Sequence, residues 1–533
     1  MKHLSYILIL IASLFFPSYS YANEESFQDT LNQLSAKKLK SRLIAVEKII
    51  QSKNPKVEFI LNSLLEGKIY YIKDSKKVVF TDKKNGSYAS KDLLTDQSLG
   101  VLIKYQVKKV GINNKIRQRI KNGLSLLNLT HINTSTRLKA VKSFYKDVNK
   151  NTFETIQSLV ISEKDDNVKE AMYVAMNIYK MSDSDALVRI NAIEYLHGNL
   201  EPAVKNKLVK IHNNDVNNNV IKAAKESLAS IESSASFYKT IETLFFGISF
   251  GSVLILAAIG LAITFGVMGV INMAHGELIM LGAYTTYVVQ QLMPEFIGLS
   301  ILVSIPAAFI VAGLVGMLIE VGVIRHLHGR PLETLLATFG VSLVLQQVVR
   351  TVFSPLNRSV ETPEWMSGAL EINGILSLTW NRLYVIIFCL IVFFALLAIL
   401  KKTVLGLQVR AVSQDRDMAR AMGIRSNRVD ALTFGLGSGV AGVAGVALSQ
   451  LTNVGPNLGQ AYIIDSFMVV VFGGVGNLWG TLISGFGLGV INKFMEPWAG
   501  AVLAKVLILI FIILFIQKRP RGLFPQKGRS AGD

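Results

Sequence analysis

The pattern of apolar and polar positions splits this chain near Ile241. Before it, apolar residues recur three or four apart among Lys, Asn, Asp and Ser; after it, they gather into long runs. Nine runs stand out, near 244–265, 274–292, 297–319, 335–353, 383–400, 429–451, 463–475, 478–491 and 502–516. Several fall short of the ~20 residues that a full helical crossing needs, which predicts one or two broken or re-entrant segments. Residues 237–533 are therefore expected to form an all-α, polytopic membrane bundle of about eight or nine spans.

The first half is patterned as a soluble, mostly helical domain. Three octads set apolar residues around a small alanine: Arg42-Leu-Ile-Ala-Val-Glu-Lys-Ile49, Arg137-Leu-Lys-Ala-Val-Lys-Ser-Phe144 and Arg189-Ile-Asn-Ala-Ile-Glu-Tyr-Leu196. Closely stacked helices need that arrangement. Val168-Lys-Glu-Ala171 and Val220-Ile-Lys-Ala223 echo it. The intervals are unequal, so the expectation over 123–232 is a HEAT-like array and not a strict repeat. Lys68-Ile-Tyr-Tyr-Ile72 and Lys77-Val-Val-Phe-Thr81 are β-branched and aromatic around a polar turn, which predicts a small β-hairpin. Residues 1–22 read as a secretory signal peptide, with a short basic start, an apolar core and a small-x-small Ser20-Tyr-Ala22 cleavage pattern. Residues 23–236 are then an extracytoplasmic domain.

Charge and composition sharpen this picture. The 533 residues carry a formal charge of +19, yet no zinc spacing, RNA-binding signature or basic helix with interleaved aromatics accompanies it, which argues against nucleic acid. In the second half the basic residues lie in short loops, where topology explains them. Arg325 and Arg330, the 401–428 loop and the 518–529 tail should face the cytoplasm, and the acidic 354–382 loop should face outward. Nine crossings reconcile these loops with an exported N-domain, placing the protein in the bacterial inner membrane with a cytoplasmic C-terminus. Lys505, inside the last apolar run, is expected to snorkel rather than pair with Glu320 or Asp465. The single cysteine, Cys389, lies in an apolar run and reads as a small apolar residue.

Candidate chemistry concentrates between the first two apolar runs. Asn272, His275 and Glu277 fall within six positions, amid glycines including Gly276. Polar groups there mark a pathway or gate at an interrupted helix, or else a plain cytoplasmic turn with Glu277 on the helix dipole; both readings stand on periodicity alone. Asn272-Met-Ala-His-Gly-Glu277, followed by Leu281-Gly-Ala-Tyr284, resembles the signature of permease subunits in the branched-chain amino acid type of ABC importer, a group that includes the urea importers. Phe472-Gly-Gly-Val-Gly-Asn-Leu-Trp-Gly480 supports the resemblance, which runs over about 245–525. It implies a translocation pathway or gate at Asn272, His275, Gly276 and Glu277 and at Gly473, Gly474, Gly476 and Asn477.

The 401–428 loop carries seven basic and two acidic residues. Ala411, Asp415, Ala419 and Met422 recur at helical spacing before Gly423, which predicts a short helix with a small, apolar side and a glycine stop. Such a helix can rest on anionic lipid or enter a partner's groove. The spacing of Arg410, Asp415, Ala419, Gly423 and Ile424 resembles the ATPase-contacting loop of the importer family. The chain carries no phosphate loop, Ser-His-Asp arrangement or His-Glu-x-x-His site, so neither catalysis nor a cofactor or metal is expected. The resemblance implies separate ATP-binding cassette subunits, a second related permease subunit, an extracytoplasmic solute-binding protein and a lipid bilayer as partners. The long exported domain resembles the long-form urea permease, so urea is the expected solute. Branched-chain amino acids are the alternative, and a secondary transporter or channel the more distant one.

Overall fold

A computed structural model of the chain describes residues 27–524 apart from 53, 85–86 and 328. The expected signal peptide and the end of the basic tail lie outside the described residues. The chain divides into two compact units, Met1–Glu232 and Ser233–Asp533.

The first unit opens with α1 (Leu39–Gln51) and α2 (Val57–Glu66), followed by β1 (Ile69–Ile72), β2 (Val78–Lys84), β3 (Ser87–Asp92), β4 (Ser98–Leu102) and β5 (Val107–Lys109), then α3 (Asn114–Asn128). The expected hairpin is present as the antiparallel β1–β2 pair, with Tyr70 opposite Val79. It belongs to a larger structure than the sequence suggested: a five-stranded antiparallel sheet in the order β4-β3-β2-β1-β5. β3 is rich in Ser, Asp and Lys, Gly100 interrupts β4, and β5 has three residues, so these strands lack the continuous β-branched and aromatic signal that betrays β1 and β2. Leu31, Val46, Ile60, Leu64, Ile69 and Ile120 meet in one core beneath this sheet.

Six helices follow: α4 (Thr134–Phe144), α5 (Lys150–Leu159), α6 (Asp166–Lys180), α7 (Ala186–Tyr195), α8 (Pro202–Asn214) and α9 (Asn218–Met268). Residue 186 follows 134, 202 follows 150 and 218 follows 166, at the same interval of 52 each time. The expected array of stacked pairs is therefore a gap-free duplication with three helices per unit. The octads at Arg137 and Arg189 lie in its first helices, and the echoes at Val168 and Val220 in its third; the Arg42 octad belongs to the sheet's core instead.

Asn133, Asn149, Asp165 and Asp185 cap α4 to α7, each accepting backbone amides of the first turn, a contribution of about 1 kcal/mol per cap. One clasp recurs in both copies. Arg137 donates to both oxygens of Glu163 at 2.8 Å and to the carbonyls of His131 and Ile132 at 2.9 Å. In the second copy Arg189 donates to Asp215 at 3.0 Å and to the carbonyls of Asp183 and Ser184.

The second unit is a helical bundle. It contains α10 (His275–Leu292), α11 (Ile297–Gly322), α12 (Pro331–Phe353), the hairpin β6 (Ala369–Glu371) and β7 (Ser377–Thr379), α13 (Trp380–Lys402), α14 (Val404–Gln414), α15 (Arg416–Ala421), α16 (Ser426–Ser449), α17 (Leu458–Gly473) and α18 (Leu478–Lys518). Six helices among the described residues, α9, α11, α12, α13, α16 and α18, are long and apolar enough to cross a membrane. The fold is thus a helical membrane bundle preceded by a soluble, mostly helical part with a small sheet.

At its centre lies α16, buried on nearly every side from Thr433 to Ser449. A Cβ at Gly282 of α10 would collide with the backbone of Gly442 in α16, so these helices pack backbone to backbone only because both residues lack a side chain. α18 is not one rod. Gly500 has φ 76° and ψ 160°, a conformation open chiefly to glycine. A straight helix of 41 residues would separate its ends by about 60 Å. Instead Asn477, just before α18, donates to the carbonyl of Phe524, just after it, at 3.2 Å. The chain therefore reverses at Gly500, and the last two predicted runs are two arms of a hairpin.

Lys505 corrects the expectation that it snorkels. Its Nζ lies 2.8 Å from Asp465 of α17, a side chain only 8% exposed. The run that carries Asp465 supplies the partner, and pairing relieves the burial of that carboxylate.

Candidate functional site

The break between α9 and α10 is built from the polar residues that interrupt the apolar pattern. α9 ends at Met268, and Gly269 turns with φ 64°. Residues 269–274 then fold back along the bundle. The amide of Met273 donates to Thr338 Oγ1 of α12 at 3.1 Å, and Asn272 Oδ1 accepts the amide of Ala274 at 3.0 Å. His275 Nε2 donates to the carbonyl of Ala257 at 2.8 Å. Ala257 precedes the end of α9 by eleven residues, about 16 Å of helix, so α10 begins beside the body of α9 and not beyond its tip. A plain solvated turn does not fit, since Asn272, His275 and Glu277 are each no more than 1% exposed.

Glu277 sits in the first turn of α10, but its contacts are across the bundle. Its Oε1 accepts from Ser342 Oγ at 3.0 Å and Gln346 Nε2 at 2.7 Å, both on α12. The sequence reading missed these partners. They belong to a stripe, Thr334, Thr338, Ser342 and Gln346, buried at every fourth position of α12. The signal was available: polar residues four apart share one helix face, and in an apolar helix that face must meet another polar group. Asn272 Nδ2, His275 Nδ1, Glu277 Oε2 and Tyr284 Oη are buried without a hydrogen-bond partner. Unsatisfied buried groups are costly, and here four cluster on one connector and the helix it starts.

Gly276 abuts the backbone of Gly459 at the head of α17. The other predicted gate stretch lies elsewhere. Gly473, Gly474, Gly476 and Asn477 form the α17–α18 connection, where Asn477 Oδ1 caps α18 by accepting the amide of Gly480 at 3.2 Å. This connection is bonded to the returning chain: Leu523 N donates to Phe472 O at 2.9 Å, and Phe524 N to Gly473 O at 3.1 Å. Gly476 also packs against Gly266 near the end of α9. Glu277 and its α12 partners take no part in that arrangement. The two stretches are separate centres joined through α9.

The basic loop departs from the single helix expected. Asp415 has φ −153°, which ends α14, and its side chain caps α15 by accepting the amide of Met418 at 2.9 Å. Gly423 stops α15 with φ 86°, and the amide of Ile424 returns to Ala419 O at 3.0 Å. Ala419 is only 4% exposed, packed with Val409, Val412 and Val429 of its own chain. Of the expected small and apolar side only Ala419 is buried: Ala411 is half-buried, Asp415 is exposed, and Met422 lies with Met418 on the outward side, 78% and 61% exposed. Arg416 is held by both oxygens of Asp430 at 2.8 and 3.0 Å, and Arg410 donates to the carbonyl of Leu400. These bonds fix the loop against α13 and α16. Among the described residues, no cluster of three or more His, Cys, Asp or Glu is placed to hold a metal ion.

Residues 243–516 match the family described as branched-chain amino acid transport system / permease component. The chain belongs to this permease family. The high-affinity branched-chain amino acid transport system permease protein BraD of Pseudomonas aeruginosa is 30% identical over 295 residues, 54% of this chain and 96% of its own length. LivH of Salmonella typhimurium, of the same description, is 31% identical over 301 residues, covering 54% and 97%. The ribose import permease protein RbsC of Escherichia coli is more distant, at 25% over 309 residues, 55% of this chain and 91% of its own. No solved structure matches. The family match begins after the first compact unit of the permease, which ends at Glu232. With six helices able to cross a membrane, it is a multi-pass membrane permease.

Proposed function

We propose that this permease is the membrane subunit of an ATP-driven importer for branched-chain amino acids, with ATP hydrolysed by separate subunits. The match over 243–516 carries this reading, and the relatives named for that transport system support it. The expected urea specificity finds no support among those relatives. It stays as the second reading because of the unit before Glu232, which resembles the exported domain of long-form urea permeases and which the family match does not reach.

In this reading the bundle pairs with a related permease subunit, a solute-binding protein delivers from outside, and ATP-binding cassette subunits dock on the 401–428 loop. Asn272, His275, Gly276 and Glu277 form a gate at the broken helix. The connector is held by bonds to Thr338, Ser342 and Gln346 of α12 and by the bond from His275 to Ala257 of α9, so moving α12 relative to α9 opens it. Glu277 Oε2 and Tyr284 Oη then offer free acceptors to a solute ammonium group. Gly473, Gly474, Gly476 and Asn477 relay movement between the end of α9 and the α18 hairpin. Arg410, Asp415, Gly423 and Ile424 hold α15 so that Met418 and Met422 meet the ATPase.

Radiolabelled uptake in a deletion strain complemented with the permease and its partners tests the solute. Leucine uptake should return, be competed by isoleucine and valine, and ignore excess urea. Restored urea uptake with no leucine uptake would establish the second reading instead.

A further inference from the structure

The second unit carries an open cavity of about 960 Å³ for which the transport reading names no occupant. It lies where α9 and α13 end, bounded by α14, the α17–α18 connection and the segment after α18. Three cations line it: Lys401 at the end of α13, Arg410 of α14 and Arg521. No carboxylate lines it among the described residues. The wall above them is apolar, made by Ile263, Leu397 and Trp479, and Trp479 is 46% exposed. Lys401, Arg410 and Arg521 are exposed as well, so the cavity is reached from the protein's surface.

Three cations from distant parts of the chain that line one cavity without a carboxylate leave a local excess of positive charge, which favours an anion. A soluble anion would satisfy the charge but leave the apolar wall unused. An anionic phospholipid satisfies both, with its phosphate among the cations and its acyl chains along Ile263, Leu397 and Trp479. The position fits, because α13 passes from an apolar span to Lys401 at this level, as a helix does on leaving the hydrocarbon layer. Tryptophan favours the same depth.

We propose that this cavity binds the headgroup of an anionic phospholipid from the leaflet that the basic loops face. The lipid bridges three parts of the chain: the end of α13, the proposed coupling loop through Arg410, and the segment after α18 through Arg521. Anionic lipid thereby stabilises the loop in the arrangement seen here.

The test uses the assembled, detergent-purified complex and native mass spectrometry after reconstitution with phosphatidylglycerol and phosphatidylethanolamine. Wild type should retain phosphatidylglycerol through delipidation and release phosphatidylethanolamine. Equal retention of both lipids would overturn the site without any variant. Lys401→Gln with Arg521→Gln should weaken phosphatidylglycerol binding about 30-fold, from the loss of two surface cations. The charge-conserving pair Lys401→Arg and Arg521→Lys should keep it. Displacement of the lipid by millimolar inorganic phosphate or ATP would show a soluble phosphate ligand and reject the lipid.

Discussion

Glu277 shows how much one buried side chain constrains its neighbourhood. A carboxylate 1% exposed is tolerable only where donors meet it, and Ser342 and Gln346 do so on one oxygen. Glu277→Gln keeps an acceptor for those donors through its amide oxygen but removes the charge. Uptake should fall at least tenfold while the subunits still copurify; normal uptake would reduce Glu277 to a helix-start charge worth about 0.3–1 kcal/mol. Gln346→Leu should lower both uptake and stability, the latter by about 1–3 kcal/mol, because a buried carboxylate loses the nearer of its two donors. Thermal unfolding of the purified complex measures that loss. Asn272, His275 and Glu277 were legible because polar groups stand out in an apolar run. The α12 stripe was legible too, in its spacing of four, but threonine and serine draw little notice in spans, where they can bond their own helix.

At the scale of elements, the coupling loop changes what a substitution can test. Ala419 packs against Val409, Val412 and Val429, so Ala419→Trp overpacks the permease itself, at a cost of about 1–3 kcal/mol. Its expected result is a loosened loop, seen as faster proteolysis within 401–428, whether or not an ATPase is present. Met418→Glu with Met422→Glu alters only the exposed side. That pair should release the ATPase from the purified complex with loop proteolysis unchanged, and retained ATPase would exclude this side as the docking surface. Helical spacing grouped Ala411, Asp415, Ala419 and Met422, but it could not see Asp415 break the helix, which leaves Ala419 inward and Met422 outward. The same limit hid the α18 hairpin: a glycine among apolar residues does not announce whether it kinks, packs or reverses a helix. The octads at Arg137 and Arg189 and the echoes at Val168 and Val220 already stand 52 apart, but the Arg42 octad, which belongs to another core, made the intervals unequal and hid the duplication.

At the scale of the whole molecule, the two units answer to different solvents. The first is soluble in pattern and should lie outside the cytoplasm. A reporter active only in the cytoplasm, fused after Ser234, should stay silent, and a bright fusion would reverse the topology. The sheet carries its own pH limit. Burial pushes the Asp92 carboxyl up, but Lys77 and the amides of Thr95 and Leu94 outweigh it and hold it at about 2. A carboxylate depressed on folding stabilises above its ordinary pKa near 3.8 and loses that contribution as pH falls through about 2. The protection of amides in β3 and the following turn, taken relative to their intrinsic exchange rate at each pH, should therefore be steady from pH 7 to about 4 and fall below it. Asp92→Asn should be weaker at neutral pH and lose this acid dependence; an unchanged profile would remove Asp92 as its cause.

The reversal at Gly500 returns the segment after α18 to the start of its own helix, where Leu523 and Phe524 bond to Phe472 and Gly473. Those bonds act as a handle on the α17–α18 connection. Any load on the chain beyond Phe524, whether an affinity tag, a resin or a fused reporter, pulls first on these two bonds to the last carbonyls of α17. Immobilising the permease by that end would therefore strain the connection, whereas attachment through the soluble unit would leave it untouched.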